Sequence, residues 1–303
     1  MKIKGLFSHG RPVVSFEIFP PKRDLPIDSI YATIEELKSL QPDFISVTYG
    51  AGGSTKERTV EIASSIRNVY GIRALAHLTC VGTSKEEADS ILKELLSCGI
   101  SDVLALRGDP PAGMDIDSVP RHFRYAADLV AHIRRVYGDA FSIGGAAYPE
   151  GHVECDDIEL RLLHLKAKVE MGVDFLITQL FFENEAFYRF LEKARGIGIN
   201  VPISAGIMPV VNKKQIERIV TLCGASIPPK LARILSKYAD APEALEDAGV
   251  AYAVDQIVDL LSSGADGVHI YTMNRPWVAR RIMESIARLL RELKKPKERA
   301  EVS

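Results

Sequence analysis

The sequence places a carboxyl group inside an apolar segment, at Glu17 of the run SFEIFPP (15–21). Side chains alternate between the two faces of a strand, so Glu17 shares a face with Ser15 and is opposite to Phe16. A carboxyl in a partly desolvated site has a raised pKa and can donate a proton near neutral pH. We therefore predict an acid catalyst at Glu17, and the alternative is a structural salt bridge, for example with Arg107.

The segment RGDPP (107–111) carries a second set of polar groups. Arg107 can bind a phosphate or a carboxylate through two parallel hydrogen bonds. Asp109 can accept hydrogen bonds from an amino-pyrimidine ring. The alternative is a turn held by a structural pair between the two side chains.

Two H-x-x-C pairs could supply zinc ligands, namely His77 with Cys80 and His152 with Cys155. In a strand, His77 and Cys80 are separated by an odd number of residues and point to opposite faces. Buried cysteines more often serve as small hydrophobic residues. We therefore predict no metal site.

Eight short apolar runs are separated by amphipathic stretches, a pattern that predicts parallel strands connected by helices. Eight is the number at which such a sheet closes, so we predict an α/β fold of the (β/α)8 TIM barrel type. An open sheet with a dinucleotide fingerprint is the competing fold, but GAGGST (50–55) lacks the third glycine. The predicted strands are 13–19, 44–50, 74–80, 102–108, 142–148, 174–180, 202–208 and 267–272.

The helical pattern continues to the end of the chain, with two helical stretches in the gap 224–266 and a final helix over 276–293. We predict a single catalytic domain over 1–303, with a charged tail from about residue 294. The net charge of −2 favours neither nucleic acid nor a membrane surface as a partner. Four dispersed cysteines and the lack of a signal-peptide pattern favour a cytoplasmic protein.

In a barrel of this type, reactive groups come from the C-terminal ends of the strands. Most of the predicted strands end in, or are followed by, a polar residue that can bind or react. These residues are Glu17, Thr48, His77, Arg107, Asp109, Tyr148, His152, Gln179, Tyr271 and Arg275.

The ordered motifs of the chain resemble those of the methylenetetrahydrofolate reductase family, in its bacterial form of a catalytic barrel alone. The resemblance covers residues from about 12 to 290. It depends on SFEIFPPK (15–22), SVTYGAGGST (46–55), AHLTC (76–80), ALRGDPP (105–111), AAYPEGH (146–152), ITQLFF (177–182), GIMPV (206–210) and HIYTMNR (269–275).

The resemblance implies reduction of 5,10-methylenetetrahydrofolate to 5-methyltetrahydrofolate, with FAD as the hydride carrier and NADH or NADPH as the electron donor. It implies that Glu17 is the general acid and that Asp109 lies beside flavin and folate. Gln179, Tyr271 and Arg275 would bind folate. The positions that match FAD contacts are Thr48, Tyr49, Ala51, His77, Arg107, Gly108, Asp109, Tyr125, Ala126, Tyr148, His152 and Lys168.

Two positions depart from the family pattern. Arg161 stands where many relatives carry an aspartate, and Lys213 stands where well-studied relatives carry an aromatic residue. The sequence leaves open whether the chain forms a homo-oligomer or associates with a redox-partner subunit. Two further functions also remain open at this point: a flavin-free barrel lyase or isomerase that uses Glu17 and Asp109, and a non-catalytic subunit of a folate complex.

Overall fold

The computed structural model describes residues 1–21, 26–49, 56–109, 122–151 and 157–293, without the side chains of residues 56 and 57. Eight parallel strands form a closed barrel in the order β1 to β8, so the predicted (β/α)8 fold is confirmed. The strands are β1 (Val13–Ile18), β2 (Phe44–Val47), β3 (Arg73–Thr79), β4 (Asp102–Leu106), β5 (Ser142–Ala147), β6 (Phe175–Thr178), β7 (Ile203–Ile207) and β8 (Gly267–Tyr271).

The helices surround this barrel and agree with the amphipathic stretches of the sequence. Ser84 caps one of them by accepting a hydrogen bond from the Glu87 amide, as its sequence position predicts. The helices are α1 (Asp28–Lys38), α2 (Lys56–Asn68), α3 (Lys85–Ser97), α4 (Ala126–Tyr137), α5 (Ile158–Glu170), α6 (Asn184–Gly196), α7 (Lys213–Cys223), α8 (Pro229–Lys237), α9 (Pro242–Ser262) and α10 (Pro276–Leu293).

Two smaller apolar clusters lie at the two ends of the barrel, and only the one at the N-terminal end fills its interior. At the N-terminal end, a 3-10 helix (Ile3–His9) inserts Ile3 and Leu6 against Phe44 and Phe175 of the barrel interior. At the opposite end, α7, α8 and α9 pack over the ends of β6 and β7. The N-terminal end of the barrel, its lower end, is therefore filled with side chains, and a ligand can bind only at the C-terminal, upper end.

Aspartates that precede or begin the even-numbered strands fasten the N-terminal end of the barrel. Each accepts a backbone N–H from a neighbouring segment at 2.7–2.9 Å, and three of them also pair with an arginine. Each carboxyl group has hydrogen-bond partners in a neighbouring segment, so these residues serve the fold and not the chemistry. The four residues are Asp43, Asp102, Asp174 and Asp266.

Most strands end one to three residues earlier than the sequence pattern predicts, because the last polar residues of each motif already belong to the loops. The two helices expected between 224 and 266 are α8 and α9, and the final helix is α10. Within the described part of the chain, no helix is both long enough and apolar enough to span a membrane. The charged tail from residue 294 lies outside the described residues.

Candidate active site

Glu17 lies near the C-terminal end of β1 and faces the interior of the barrel mouth, as the strand alternation predicts. Its side chain is 18% exposed, and Oε2 lies 3.4 Å from Nε2 of His77 and 3.4 Å from Nε2 of His269. The Ser46 hydroxyl donates to the same oxygen at 3.3 Å. The salt bridge to Arg107 that was the alternative is not among the contacts described for this carboxyl.

The expected rise in the Glu17 pKa is wrong for the described chain. Burial raises the pKa, and it is the largest single influence. The hydrogen bond from His269, the nearby His77 and the Ser46 hydroxyl act in the opposite direction, and together they hold the pKa below its ordinary value. The sequence argument considered burial and did not foresee two histidines and a serine around the carboxyl.

His269 connects Glu17 to a second hydroxyl group. Its Nδ1 lies 2.7 Å from Oγ of Ser15, while Nε2 faces Glu17. In the tautomer that carries its proton on Nε2, the ring N–H points toward the carboxylate and Nδ1 accepts from Ser15. His269 is fully buried and packs against Phe44, so its ring is held in place. The arrangement is a short hydrogen-bonded chain that ends at the Glu17 oxygen.

His77 lies on the other side of Glu17, in β3. Burial, the largest influence, lowers the pKa of its imidazole to about 4, so the ring is neutral at neutral pH. Its Nε2 is buried and makes no hydrogen bond to any described residue. Buried polar atoms usually have partners, so this nitrogen marks the mouth as a place that accepts a polar ligand.

Tyr271 at the end of β8 lies across the mouth toward β6. Its hydroxyl donates to the Thr178 carbonyl at 2.7 Å, and its ring meets His269 edge-on at 5.3 Å between centroids. Burial, followed by the charge of Glu17 and by Tyr148, raises the Tyr271 pKa well above its ordinary value, so the phenol stays neutral. Gly206 has no side chain, which leaves room for the Tyr271 ring.

A cavity of about 790 Å³ opens at the ends of β4 and β5 and between α4, α5 and α6. Such a volume is typical of a cofactor or drug-sized ligand. Of the residues predicted to contact FAD, five line it: Arg107, Tyr125, Ala126, Tyr148 and Lys168. The lining combines small alanines and leucines with a ring of basic side chains.

The basic side chains of the cavity lining outnumber the acidic ones. Besides Arg107 and Lys168, the cavity is lined by Arg161, Arg189 and Lys193, against one carboxylate at Glu150. Burial lowers the Lys168 pKa to about 8, so most of this lysine is still charged at pH 7. Its ammonium donates to the Ala146 carbonyl.

Arg161, the departure from the family pattern, also lines this cavity. Its guanidinium donates to the carbonyls of Glu150 at 3.3 Å and Asp157 at 3.2 Å. It therefore binds the backbone at Glu150 and Asp157 and adds a positive charge where relatives are expected to carry a negative one. Lys213, the other departure, begins α7 and lies 4.0 Å from Glu217.

The other predicted site residues occupy strand ends around the mouth. Gly108 has a φ of +78°, and an added Cβ would lie 2.7 Å from Cβ of Thr79, so only glycine fits there. Asp109 is exposed after β4, and Gln179 accepts a hydrogen bond from the Leu180 amide. Arg275 lies 3.6 Å from Glu246. Thr48 and Tyr49 follow β2, and Ala51 and His152 lie outside the described residues.

Sequence reasoning missed Ser15, Ser46 and His269 as site residues, although all three contact Glu17 or its partners. The signal was present in the alternation of the strands. His269 precedes Tyr271 by two residues, as Ser15 precedes Glu17, and each pair therefore shares a face. Polar residues on the inward face of an apolar strand were the pattern to follow.

Comparisons with known proteins agree with this geometry. The sequence profile of methylenetetrahydrofolate reductase matches residues 2–287. A methylenetetrahydrofolate reductase (NADH) of Arabidopsis thaliana is 40% identical over 283 residues, which are 90% of this chain and 48% of the plant protein. The chain therefore spans about half the length of this relative.

A second relative has a comparable length. The 5,10-methylenetetrahydrofolate reductase of Pectobacterium carotovorum is 38% identical over 267 residues, covering 88% of this chain and 87% of that protein. One similar solved structure is a Clostridium thermocellum protein that binds two copies of 5-methyl-5,6,7,8-tetrahydrofolic acid. Its TM-score is 0.67 at 16% sequence identity, over 95% of this chain and 98% of that protein. At this identity the similarity supports the fold alone. The profile match and the bacterial relative show that this chain belongs to the methylenetetrahydrofolate reductase family.

Proposed function

We propose that this protein reduces 5,10-methylenetetrahydrofolate to 5-methyltetrahydrofolate, using FAD as its redox cofactor. The observation that carries the proposal is the largely buried Glu17 carboxyl in the barrel mouth, together with a basic cavity of about 790 Å³ at the ends of β4 and β5. Family membership supplies the reaction, and the geometry supplies a proton carrier and a place for an anionic dinucleotide. The chemistry of such an enzyme needs both.

The residues of the cavity suit FAD. The pyrophosphate of a dinucleotide is anionic, and Arg107 and Lys168 at the inner end of the cavity can neutralise it. The apolar wall of α5 and the aromatic ring of Tyr125 suit the flat rings of such a molecule. FAD supplies the hydride in this reaction, and the protein positions the reactants and moves the proton.

Glu17 supplies the proton that releases N10 when the imidazolidine ring of the substrate opens. The carboxyl must be protonated for this step; burial acts in that direction, while His269, His77 and Ser46 outweigh it and hold the pKa below its ordinary value. A ring bound over the mouth removes further water from the carboxyl and strengthens the influence of burial. Ser46 and His269, the latter in contact with Ser15, then fix the direction of the carboxyl.

The folate ring is proposed to bind between Glu17, Gln179 and Tyr271, with Asp109 at its pterin edge. Arg275 lies on the outer side of the mouth and is suited to the glutamate of the substrate. We propose NADH as the electron donor, since plant relatives of 40%, 38% and 37% identity carry NADH in their names. The described cysteines are free thiols, which agrees with the cytoplasmic location that we propose.

A titration with FAD tests the cofactor assignment. We expect the purified protein to bind one FAD per chain, with flavin absorbance that bleaches anaerobically on addition of NADH and returns on addition of methylenetetrahydrofolate. Arg107→Met should weaken FAD binding, and Arg288→Met is the matched control, because Arg288 is an exposed residue of α10 outside the cavity lining. Failure to bind FAD, together with turnover of a sugar phosphate or a keto acid, would favour a flavin-free lyase or isomerase.

A further inference from the structure

The turn that follows β8 contains two residues in a backbone conformation that side chains disfavour. Met273 has a φ of 52° and Asn274 a φ of 54°, and the Arg275 amide donates to the Thr272 carbonyl at 2.9 Å. This is a type I′ turn, in which glycine is the usual residue at the second central position. Asn274 stands there instead, which raises the question of what its side chain contributes.

The amide of Asn274 binds the backbone of β1 beyond the end of the ladder. Its Oδ1 accepts the Phe19 N–H at 3.0 Å, and its Nδ2 donates to the Phe19 carbonyl at 2.8 Å. The last paired residues of the two strands are Glu17 and Tyr271. Asn274 therefore extends the pairing of β1 and β8 by one step, through a group that both donates and accepts.

A second side chain of the same turn binds the other side of this segment. The Thr272 hydroxyl donates to the Glu17 carbonyl at 2.6 Å. The chain continues from Phe19 into Pro20 and Pro21, which have no N–H and cannot extend the ladder themselves. The backbone on both sides of Ile18 is thus held by the turn after β8.

We propose that Asn274 is a positioning residue for the reaction, because it fixes the end of β1 and so sets the direction of the Glu17 carboxyl. The inference depends on the proton role proposed for Glu17. The carboxyl contacts Ser46 and His269 at 3.3 and 3.4 Å, near the outer limit of a hydrogen bond, and Nε2 of His77 lies 3.4 Å away without forming one. A small shift of β1 is enough to lose these contacts, and positioning errors of this size cost catalysis heavily.

Asn274→Gly removes the side-chain amide and keeps a residue that adopts the backbone conformation of the turn. Glycine suits the φ of 54° better than asparagine, so the turn persists while both bonds to Phe19 are lost. Gln41→Gly is the matched control, because Gln41 has the same φ of 54° and lies in the exposed connection between α1 and β2. Asn274→Asp serves as a second variant, since it keeps the acceptor for the Phe19 N–H and replaces the donor.

Anaerobic stopped-flow kinetics of the two half-reactions, on the FAD-loaded protein, test the proposal. In Asn274→Gly we expect flavin reduction by NADH within about twofold of wild type, while flavin reoxidation by methylenetetrahydrofolate slows by about tenfold or more. Asn274→Asp should slow reoxidation at least as much, and Gln41→Gly should leave both rates unchanged. The pH profile of reoxidation should also shift in Asn274→Gly, because the contacts that set the Glu17 pKa are loosened.

A double-mutant cycle decides whether Asn274 acts through Glu17. If it does, adding Asn274→Gly to Glu17→Gln slows reoxidation no further than Glu17→Gln alone. Independent, multiplicative losses would overturn the proposal, as would reoxidation in Asn274→Gly equal to that in Gln41→Gly. Normal reoxidation in Glu17→Gln alone would instead refute the proton role of Glu17, which distinguishes failure of the proposed function from failure of the positioning role.

Discussion

Gly206→Ala is expected to disturb the folate side of the mouth and to leave the FAD cavity intact. A Cβ at this position would lie 2.2 Å from the Thr178 carbonyl oxygen and 2.9 Å from the Tyr271 ring. Carbon–oxygen contacts between strands run at about 3.3–3.6 Å, so β7 or its neighbours must move by about 1 Å. Overpacking of this kind costs about 1–3 kcal/mol, and relief of the entropy of a strand glycine returns about 0.5–1 kcal/mol.

The same displacement strains the hydrogen bond of 2.7 Å from the Tyr271 hydroxyl to the Thr178 carbonyl. A hydrogen bond of this type contributes about 1 kcal/mol to stability. The net loss of about 2 kcal/mol corresponds to a fall in Tm of about 3 °C for a chain of 303 residues. Folate affinity should fall with it, because Tyr271 is displaced.

Gly196→Ala is the matched control, because Gly196 ends α6 with nothing within 4 Å of an added Cβ. Thermal unfolding and ligand titrations of the two variants check the prediction. We expect FAD affinity within about twofold of wild type in both variants, since the described cavity lining does not include β7. If Gly206→Ala unfolds at the same temperature as Gly196→Ala and binds folate normally, the packing argument for Tyr271 is refuted.

Two predictions concern pH. Because the Lys168 pKa is about 8, its charge is lost as pH rises through 8 and FAD affinity should fall over that interval. Fluorescence titrations of Lys168→Met should show FAD binding that is weaker and does not change over this pH range. The same pH dependence in the variant as in wild type would contradict the role of Lys168. Burial raises the Asp102 pKa from 3.8 to about 6, so the folded protein holds the proton more tightly than the unfolded chain. The free energy of unfolding should therefore decrease by about 2–3 kcal/mol as pH rises from about 4 to about 6. Asp102→Asn keeps an acceptor for the Ile3 amide and removes the titrating group. Denaturant unfolding of this variant should lack the decrease in stability over that pH range. If the variant still shows the decrease, its assignment to Asp102 is wrong.

The fold was predictable because each apolar run was bounded by a helix signal that agreed with it. Ser84 caps α3, and Gly71 and Gly99 follow α2 and α3 with a positive φ, as serine and glycine commonly do at helix ends. Closure of the sheet followed from the number of strands. The aspartates at the lower end of the barrel were not foreseen, because their partners lie in other strands.

The site was predictable in its members more than in its electrostatics. Glu17, His77 and Tyr271 were identified, and the structure brings them together. The direction of the Glu17 pKa was not predictable, because it depends on how close His269 and Ser46 come, and these distances arise only when β1, β2 and β8 pair. The proposed role of Asn274 likewise depends on a turn geometry that the sequence alone does not reveal.

The most direct test of the account is the behaviour of Glu17→Gln, which keeps the size of the side chain and removes the transferable proton. Flavin reduction by NADH, followed in anaerobic stopped flow, should remain within about threefold of wild type, while reoxidation by methylenetetrahydrofolate should slow by about 10²–10⁴-fold. Equal slowing of both half-reactions, or reoxidation at the wild-type rate, would contradict the assignment of the proton to this carboxyl.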